Sequence, residues 1–301
     1  MATAKTFLVG AECGVEVNNV GMVAKSENVR AEYTRVDPGA EGLIGTREPA
    51  KGRVIVLKND VKGSLVVPAS FYEASILIGV MFANGTSSAT DATFSGYTAR
   101  EIGSDPATNN TADILIDRKH ATGKIFSYAN VWPSRQVYRW SESNPCEIET
   151  DFLGQSEGTA TDTVNAAGTQ APAISDDVTF SWDGTECYTT GGEITIDLQM
   201  DERFYSSLTR THAQPKVLSV GGVVDVELNT DTWIMFLENG ANANSHAIRY
   251  KVDNGTYGYG LYLPACCFHQ ATPTVEGPDI VKARLEFKAY LSTYTVVAFT
   301  K

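Results

Sequence analysis

One order of signals occurs twice in this chain, and it constrains the fold more than any other feature. Residues 63–68 read Gly-Ser-Leu-Val-Val-Pro, a short strand that proline ends because it has no amide to give a ladder. Ser70 followed by Glu73 forms a capping box, each side chain satisfying an orphan amide at a helix start. The apolar run that follows is helix-compatible, and Asn84-Gly85 offers a left-handed stop. Later, residues 222–228 read as strand, 229–232 as cap, 233–237 as apolar run, and Asn239-Gly240 as stop. Strand, cap, helix and stop in the same order twice predict a duplicated domain.

The closing strands support the same reading. An offset of 135 residues, the distance from Gly123 to Gly258, runs ungapped as far as Phe152 and Phe287. It places Ile148, Thr150 and Phe152 on Ala283, Leu285 and Phe287, so the strand faces agree in parity. A one-residue slip would turn the core set outward. The Asn-Gly stops need an offset of 155, from Gly85 to Gly240, and a long loop after Gly85 accounts for the difference.

The 301 residues suffice for two domains, each with its own core. We expect a first domain over 1–153, a linker over 154–177 where Gly, Thr, Ala, Asn and Ser dominate, and a second domain over 178–301. Residues 1–28 read as an irregular arm, and Val29, Ala31 and Tyr33 begin strand alternation. The excursion through Asp37 to Pro49 carries Leu43 and Ile44 at its tip, a pair that would dock against something. Residues 86–111 read as a long surface loop with Phe94, Tyr97 and Ile102 as its large apolar residues. In the second half Asp183-Gly184 marks a hairpin, and Ile194, Ile196, Leu198 and Met200 point inward. Arg203 to Pro215 is the counterpart of the first excursion. Strand signals dominate, so the fold class is mainly β: a β-sandwich or partial barrel with one flanking helix per repeat.

A formal charge of -12 and a pI near 4.8 exclude a protein that grips phosphate through clustered Lys and Arg. The first residues lack the apolar core of a signal peptide, and the longest apolar run is too short to cross a bilayer. Five cysteines without ligand spacing, Cys266-Cys267 among them, read as reduced structural thiols. His120, His212, His246 and His269 are scattered without metal-ligand spacing. Nucleophile elbow, phosphate-binding glycine loop and Cys-x-x-Cys are all lacking, so neither an enzyme nor a cofactor is expected.

Residues 44–47 (Ile-Gly-Thr-Arg), residues 61–67 (Val-Lys-Gly-Ser-Leu-Val-Val), the run Phe-Ala-Asn-Gly over 82–85 and residues 125–132 stand in a telling order. With a second copy behind them, they resemble the tail tube proteins of long-tailed bacteriophages, in the branch carrying two tube domains per chain. The resemblance covers most of the chain outside 1–28 and the linker; the loop 86–111 departs from it. It implies a sandwich or partial barrel flanked by a helix, whose sheets join those of neighbours into a tube wall. It implies self-association into rings that stack into a tube, and the duplication adds that three two-domain chains would make a ring of pseudo-six-fold shape. It also implies contacts with tape measure, tail terminator and tail tip proteins, passage of DNA without specific binding, no membrane insertion, and assembly in the host bacterial cytoplasm into the virion tail.

Within that frame, acidic lumen candidates are Glu193, Asp197 and Asp201 in one strand region and Glu147, Glu149 and Asp151 in another. The strand equivalent to the latter carries Lys282, Arg284 and Lys288 instead, an opposite sign that would set which domain sits beside which. An ordinary solvated strand face is the alternative for either stripe. The excursions supply subunit or inter-ring contact candidates: Leu43, Ile44 and Arg47 in the first half, Arg203, Phe204 and Tyr205 in the second. A tandem β-sandwich of adhesin or carbohydrate-binding type is the rival reading, distinguished by exposed aromatics around one concave site.

Overall fold

A strand of 17 residues, Ile125–Ser141, runs through the middle of the molecule and carries partners on both edges along its length. The computed structural model describes residues 13–36, 55–82, 90–102, 111–118, 125–161, 163–228, 245–268, 282–292 and 295–301. The first half holds β1 (Gly14–Val17), β2 (Val20–Met22), β3 (Ser26–Glu27), β4 (Arg30–Val36), β5 (Ile55–Pro68), helix α1 (Phe71–Met81), β6 (Thr98–Glu101), β7 (Ala112–Asp117), the long β8 (Ile125–Ser141), β9 (Asn144–Gly154) and β10 (Ser156–Ala160). The second holds β11 (Val178–Trp182), β12 (Thr185–Asp197), β13 (Met200–Arg203), β14 (His212–Pro215), β15 (Ser219–Glu227), β16 (His246–Asp253), β17 (Gly258–Phe268), β18 (Lys282–Ala289) and β19 (Val297–Thr300).

The pairings of the first half recur in the second with the same registers. Hairpin β1–β2 pairs Val15 with Met22 and Val17 with Val20; β11–β12 pairs Phe180 with Cys187 and Trp182 with Thr185, an offset of 165 from Val15 to Phe180 throughout. Both turns have two residues with positive φ, Asn18-Asn19 and Asp183-Gly184, the mirror-image turn that matches strand twist. Gly63 faces Phe152 across β5–β9, as Gly222 faces Phe287 across β15–β18. Pro133 faces Phe152 as Phe268 faces Phe287. The pairs β1–β7, β7–β8 and β8–β10 return as β11–β16, β16–β17 and β17–β19. Every strand-to-strand pairing among the described residues is antiparallel, so short hairpins and one long β8 suffice to build the sheet.

The two halves are joined edge to edge. Residues 135–141 of β8 pair with 197–191 of β12, while β9 holds the other edge of β8. One hydrophobic cluster spans both halves, with Trp140 of β8 at 4.7 Å from Tyr250 of β16 and α1 touching β8, β9 and β17. The helix begins as its sequence dictates: Ser70 Oγ accepts from the Glu73 amide and Glu73 Oε2 from the Ser70 amide. It ends at Met81 with Phe82 as its cap. Asn84-Gly85, the second apolar run 233–237 and Asn239-Gly240 lie outside the described residues.

Three stretches are more ordered than their composition implies. Residues 14–27, read as irregular, contain the β1–β2 hairpin and β3, because two asparagines tolerate the left-handed turn without glycine. Within the long loop 86–111, Phe94 stacks on Phe299 at 4.2 Å, and β6 pairs with the final strand β19. Within 154–177, β10 pairs with β8 and Ala173 is fully buried, exchanging backbone hydrogen bonds with Ala69 and Cys146.

Candidate assembly surfaces

The sheet that crosses the joint turns one side toward the core and presents a partly exposed, charged row of side chains on the other. On β8 the inward set is Gln136, Tyr138 and Trp140; Gln136 donates to the Leu77 carbonyl at 3.1 Å. The opposite face carries Arg135, Val137 and Arg139, registered against Asp151, Glu149 and Glu147 on β9 and against Asp197, Thr195 and Glu193 on β12. Beyond β12 the same face continues through Val223 and Asp225 of β15 to Glu286 and Arg284 of β18.

Five of the six acidic candidates therefore share this face, and arginines separate them. Arg139 reaches Glu149 at 2.6 Å and Glu193 at 2.7 Å. Burial disfavours its charge, yet the hydrogen bonds to both carboxylates hold its pKa above the ordinary value. The Asp151 pKa is raised as well: burial lifts its carboxyl, with Glu149 and Asp197 adding to the effect against Arg135, so here it is the charged form that is disfavoured. Asp201 stands apart, on the separate β13–β14 ribbon, paired with Arg203 and with Lys216 at 3.3 Å. Lys282, Arg284 and Lys288 lie on β18, with Lys282 3.0 Å from Glu227 and Arg284 3.8 Å from Asp225.

The second excursion crosses the joint. Leu208 accepts from the Asn59 amide of β5 at 2.6 Å, beyond the point where β9 ends. Arg210, wholly buried, donates to the carbonyls of Val61 and Gly154 and to Asp60 and Glu202. It plugs the end of the β5–β9 ladder with its guanidinium, a fork suited to several acceptors at once. Lys62 joins Glu202 at 2.8 Å, and Lys58 lies over the Phe204 ring at 3.9 Å. Arg203 and Phe204 thus belong to this docked ribbon, and Tyr205 remains exposed. Leu43, Ile44 and Arg47 lie outside the described residues.

Sequence reading missed the guarded edge of the first half. Strands β3 and β4 pair with β5 on one side; their other edge is the equivalent of the β12 edge that β8 occupies. There Tyr128 Oη donates to the Val29 carbonyl at 3.0 Å, and Glu157 accepts from the Ala31 amide at 3.2 Å. Arg118 also donates to the Val29 carbonyl and pairs with Glu27 at 2.6 Å. Burial raises the Tyr128 pKa well above its ordinary value, so the hydroxyl keeps its proton at neutral pH. Such side-chain caps are one way an exposed strand edge is kept from pairing freely.

Other features bear less on assembly. Trp132, Trp140 and Trp182 are buried, while Tyr72 and Tyr257 are exposed beside an open groove near the start of α1. The five cysteines form no disulfide; burial pushes the Cys187 thiol up to about 11 and the Cys146 thiol up to about 12. His246 contacts Asp183, His120 and His269 lie outside the described residues, and among the described residues no cluster of three His, Cys, Asp or Glu has metal-binding geometry. No helix of the described residues is long and apolar enough to cross a membrane.

The profile of the phage tail tube protein family matches residues 39–289, most of the chain. The chain belongs to that family. Comparison with individually curated proteins gave no match. A phage tail tube protein is a structural component of the virion tail that assembles with its own kind into a tube and associates with other tail proteins. The tail tube fold here is mainly β, as the sequence pattern implied; α1 supplies the helix expected of the first repeat, and the one expected of the second falls outside the described residues.

Proposed function

We propose that each chain supplies two tube modules, 1–153 and 178–301, and that copies join edge to edge into a ring. One observation carries this reading. The β8–β12 joint unites two halves of matching strand pairing, and the corresponding edge of the first half, β3–β4, has no strand partner among the described residues. A second copy that repeated the joint there would continue the sheet, and head-to-tail contacts of this kind close when the rotation permits. Three chains would then give a ring of pseudo-six-fold shape, stacked into the tail tube during assembly in the host cytoplasm. Tape measure, tail terminator and tail tip proteins are the further partners this role requires.

The open face of the joined sheet is our candidate for the lumen wall, through which DNA passes during ejection. Its charges alternate, acids of β9 and β12 flanking arginines of β8. Such a surface projects little net field beyond about 8 Å at physiological salt. DNA would slide past for want of a cationic patch to hold it, more than by repulsion from an acidic stripe. This role calls for no catalytic step. Sedimentation velocity across a concentration series tests the reading: trimers and larger polymer are expected. A monomer at every concentration, with a glycan bound near Tyr72 and Tyr257, would favour the tandem binding-module reading instead.

A further inference from the structure

Residues 200–215 of the second half lie across the joint and are anchored on β5 of the first half, by Leu208 to Asn59 and by Arg210 to Val61, Asp60 and Gly154. Among the described residues, no segment makes the equivalent contact on the second half. The offset of 159 from Gly63 to Gly222 carries Asp60, Val61 and Lys62 onto Ser219, Val220 and Gly221; the offset of 135 from Phe152 to Phe287 carries Leu153 onto Lys288. Those positions line an open groove of about 360 Å³, together with Thr195 and Asp197. Just beyond the strand ends, Val217 is 62 % exposed and Leu291 77 % exposed.

The segment that corresponds to 200–215 in the first half is 37–54, between β4 and β5. It leaves from an arm whose base carries exposed apolar side chains: Tyr33, Ile55, Val56 and Leu57. The second excursion docks on the half that adjoins its own β12 edge. For the first excursion, the half adjoining the β3–β4 edge belongs to another molecule. We propose that segment 37–54 of one copy seats in the groove beside Val217, Ser219 and Lys288 of the next copy, repeating between chains the contact that residues 200–215 make within one. This deepens the ring reading above and rests on it. The chemistry differs from the internal contact, because the charged Asp60 and Lys62 give way to Ser219 and Gly221. The groove keeps charges of its own in Asp197, Glu286 and Lys288, and Val217 and Leu291 at the strand ends are the apolar side chains that Leu43 and Ile44 of the segment would meet.

The test places the photocrosslinker p-benzoylphenylalanine at Lys288 and assembles a mixture of nitrogen-14 and nitrogen-15 chains. Crosslinked peptides of mixed isotope that join position 288 to residues 37–54 are the expected product. Polymer in which position 288 captures another segment, or only its own chain, overturns this inference and leaves the ring reading standing. A chain that stays monomeric under all conditions overturns both. Val217→Asp, at an exposed position, supplies a second measurement. It should raise the concentration needed for assembly about tenfold, equivalent to about 1.4 kcal/mol, with monomer melting unchanged. Assembly at the wild-type concentration would count against the groove.

Discussion

Arg139 on β8 stands 2.7 Å from Glu193 on β12, an ion pair that crosses the joint between the two halves. The same guanidinium reaches Glu149 on β9, so one side chain ties three strands on the open face. Both partners at the joint are partly exposed, and exposed pairs contribute about 0.2–1 kcal/mol. A double-mutant cycle with Arg139→Ala and Glu193→Ala, read by urea unfolding, should give a coupling within that range that shrinks in high salt. A coupling insensitive to salt would show that the joint depends on something other than charge.

The backbone of β12 comes close to Trp140 at Gly192, where an added Cβ would lie 2.3 Å from the indole Cζ2. Trp140 is buried and hydrogen-bonded through Nε1 to Thr189 at 3.2 Å, so the ring has little room to retreat. Gly192→Ala should cost about 1–3 kcal/mol, the usual range for overpacking. Adding Trp140→Phe should recover part of the loss. A variant as stable as the wild type would mean the joint is looser than described.

Arg210 is the side chain whose loss should be felt most. It is fully buried against Asp60, Glu202 and two carbonyls, and removing one partner of a buried ion pair costs about 3–5 kcal/mol. Arg210→Met should release the 203–212 stretch to limited proteolysis, and Arg210→Lys should restore little, since a point charge cannot serve the same acceptors. Unchanged proteolysis in both variants would contradict the plug.

How much of this was legible beforehand differs by feature. The capping box at Ser70 and Glu73, the stop at Pro68 and the equivalence of Phe152 with Phe287 came from local chemistry and parity, and the structure places them accordingly. The acidic residues of β9 and β12 were found, but not that Arg135 and Arg139 stand between them, because registering β8 between those strands is a non-local event. Asn18-Asn19 could have been read as a hairpin turn, since both residue types tolerate positive φ. Nothing local marked Arg210, whose partners Val61 and Asp60 lie 149 and 150 residues away in sequence. The edge guard of Tyr128, Glu157 and Arg118 was equally invisible, for the same reason.

That guard has a testable consequence. Glu157→Ala leaves the Ala31 amide uncapped on the open edge of β4. Losing one hydrogen bond of about 1 kcal/mol should lower the concentration at which polymer appears about fivefold. Light scattering on a dilution series reads the threshold; a raised threshold would assign Glu157 a role in the assembled contact itself.

Acid stability should be governed in part by Asp253. Burial would raise its pKa, but the contacts from Lys251 at 2.9 Å and the Gly255 amide at 2.7 Å win and bring it from 3.8 down to about 2. A depressed carboxyl stabilises the fold above its unfolded value, and that contribution is lost as pH falls through the folded value. Melting temperature should therefore decline between about pH 4 and pH 2, and the decline should be shallower in Asp253→Asn. Parallel curves for the two proteins would exclude Asp253 as a source.

The most direct measurement is a cryo-electron microscopy map of the polymer formed by the purified chain. The account predicts a hollow tube of stacked rings in which strands β3–β4 of each copy continue the sheet of the next, with the face of Arg139 and Glu193 toward the lumen. A tube whose rings meet through other surfaces, leaving the β3–β4 edge in solvent, would contradict it.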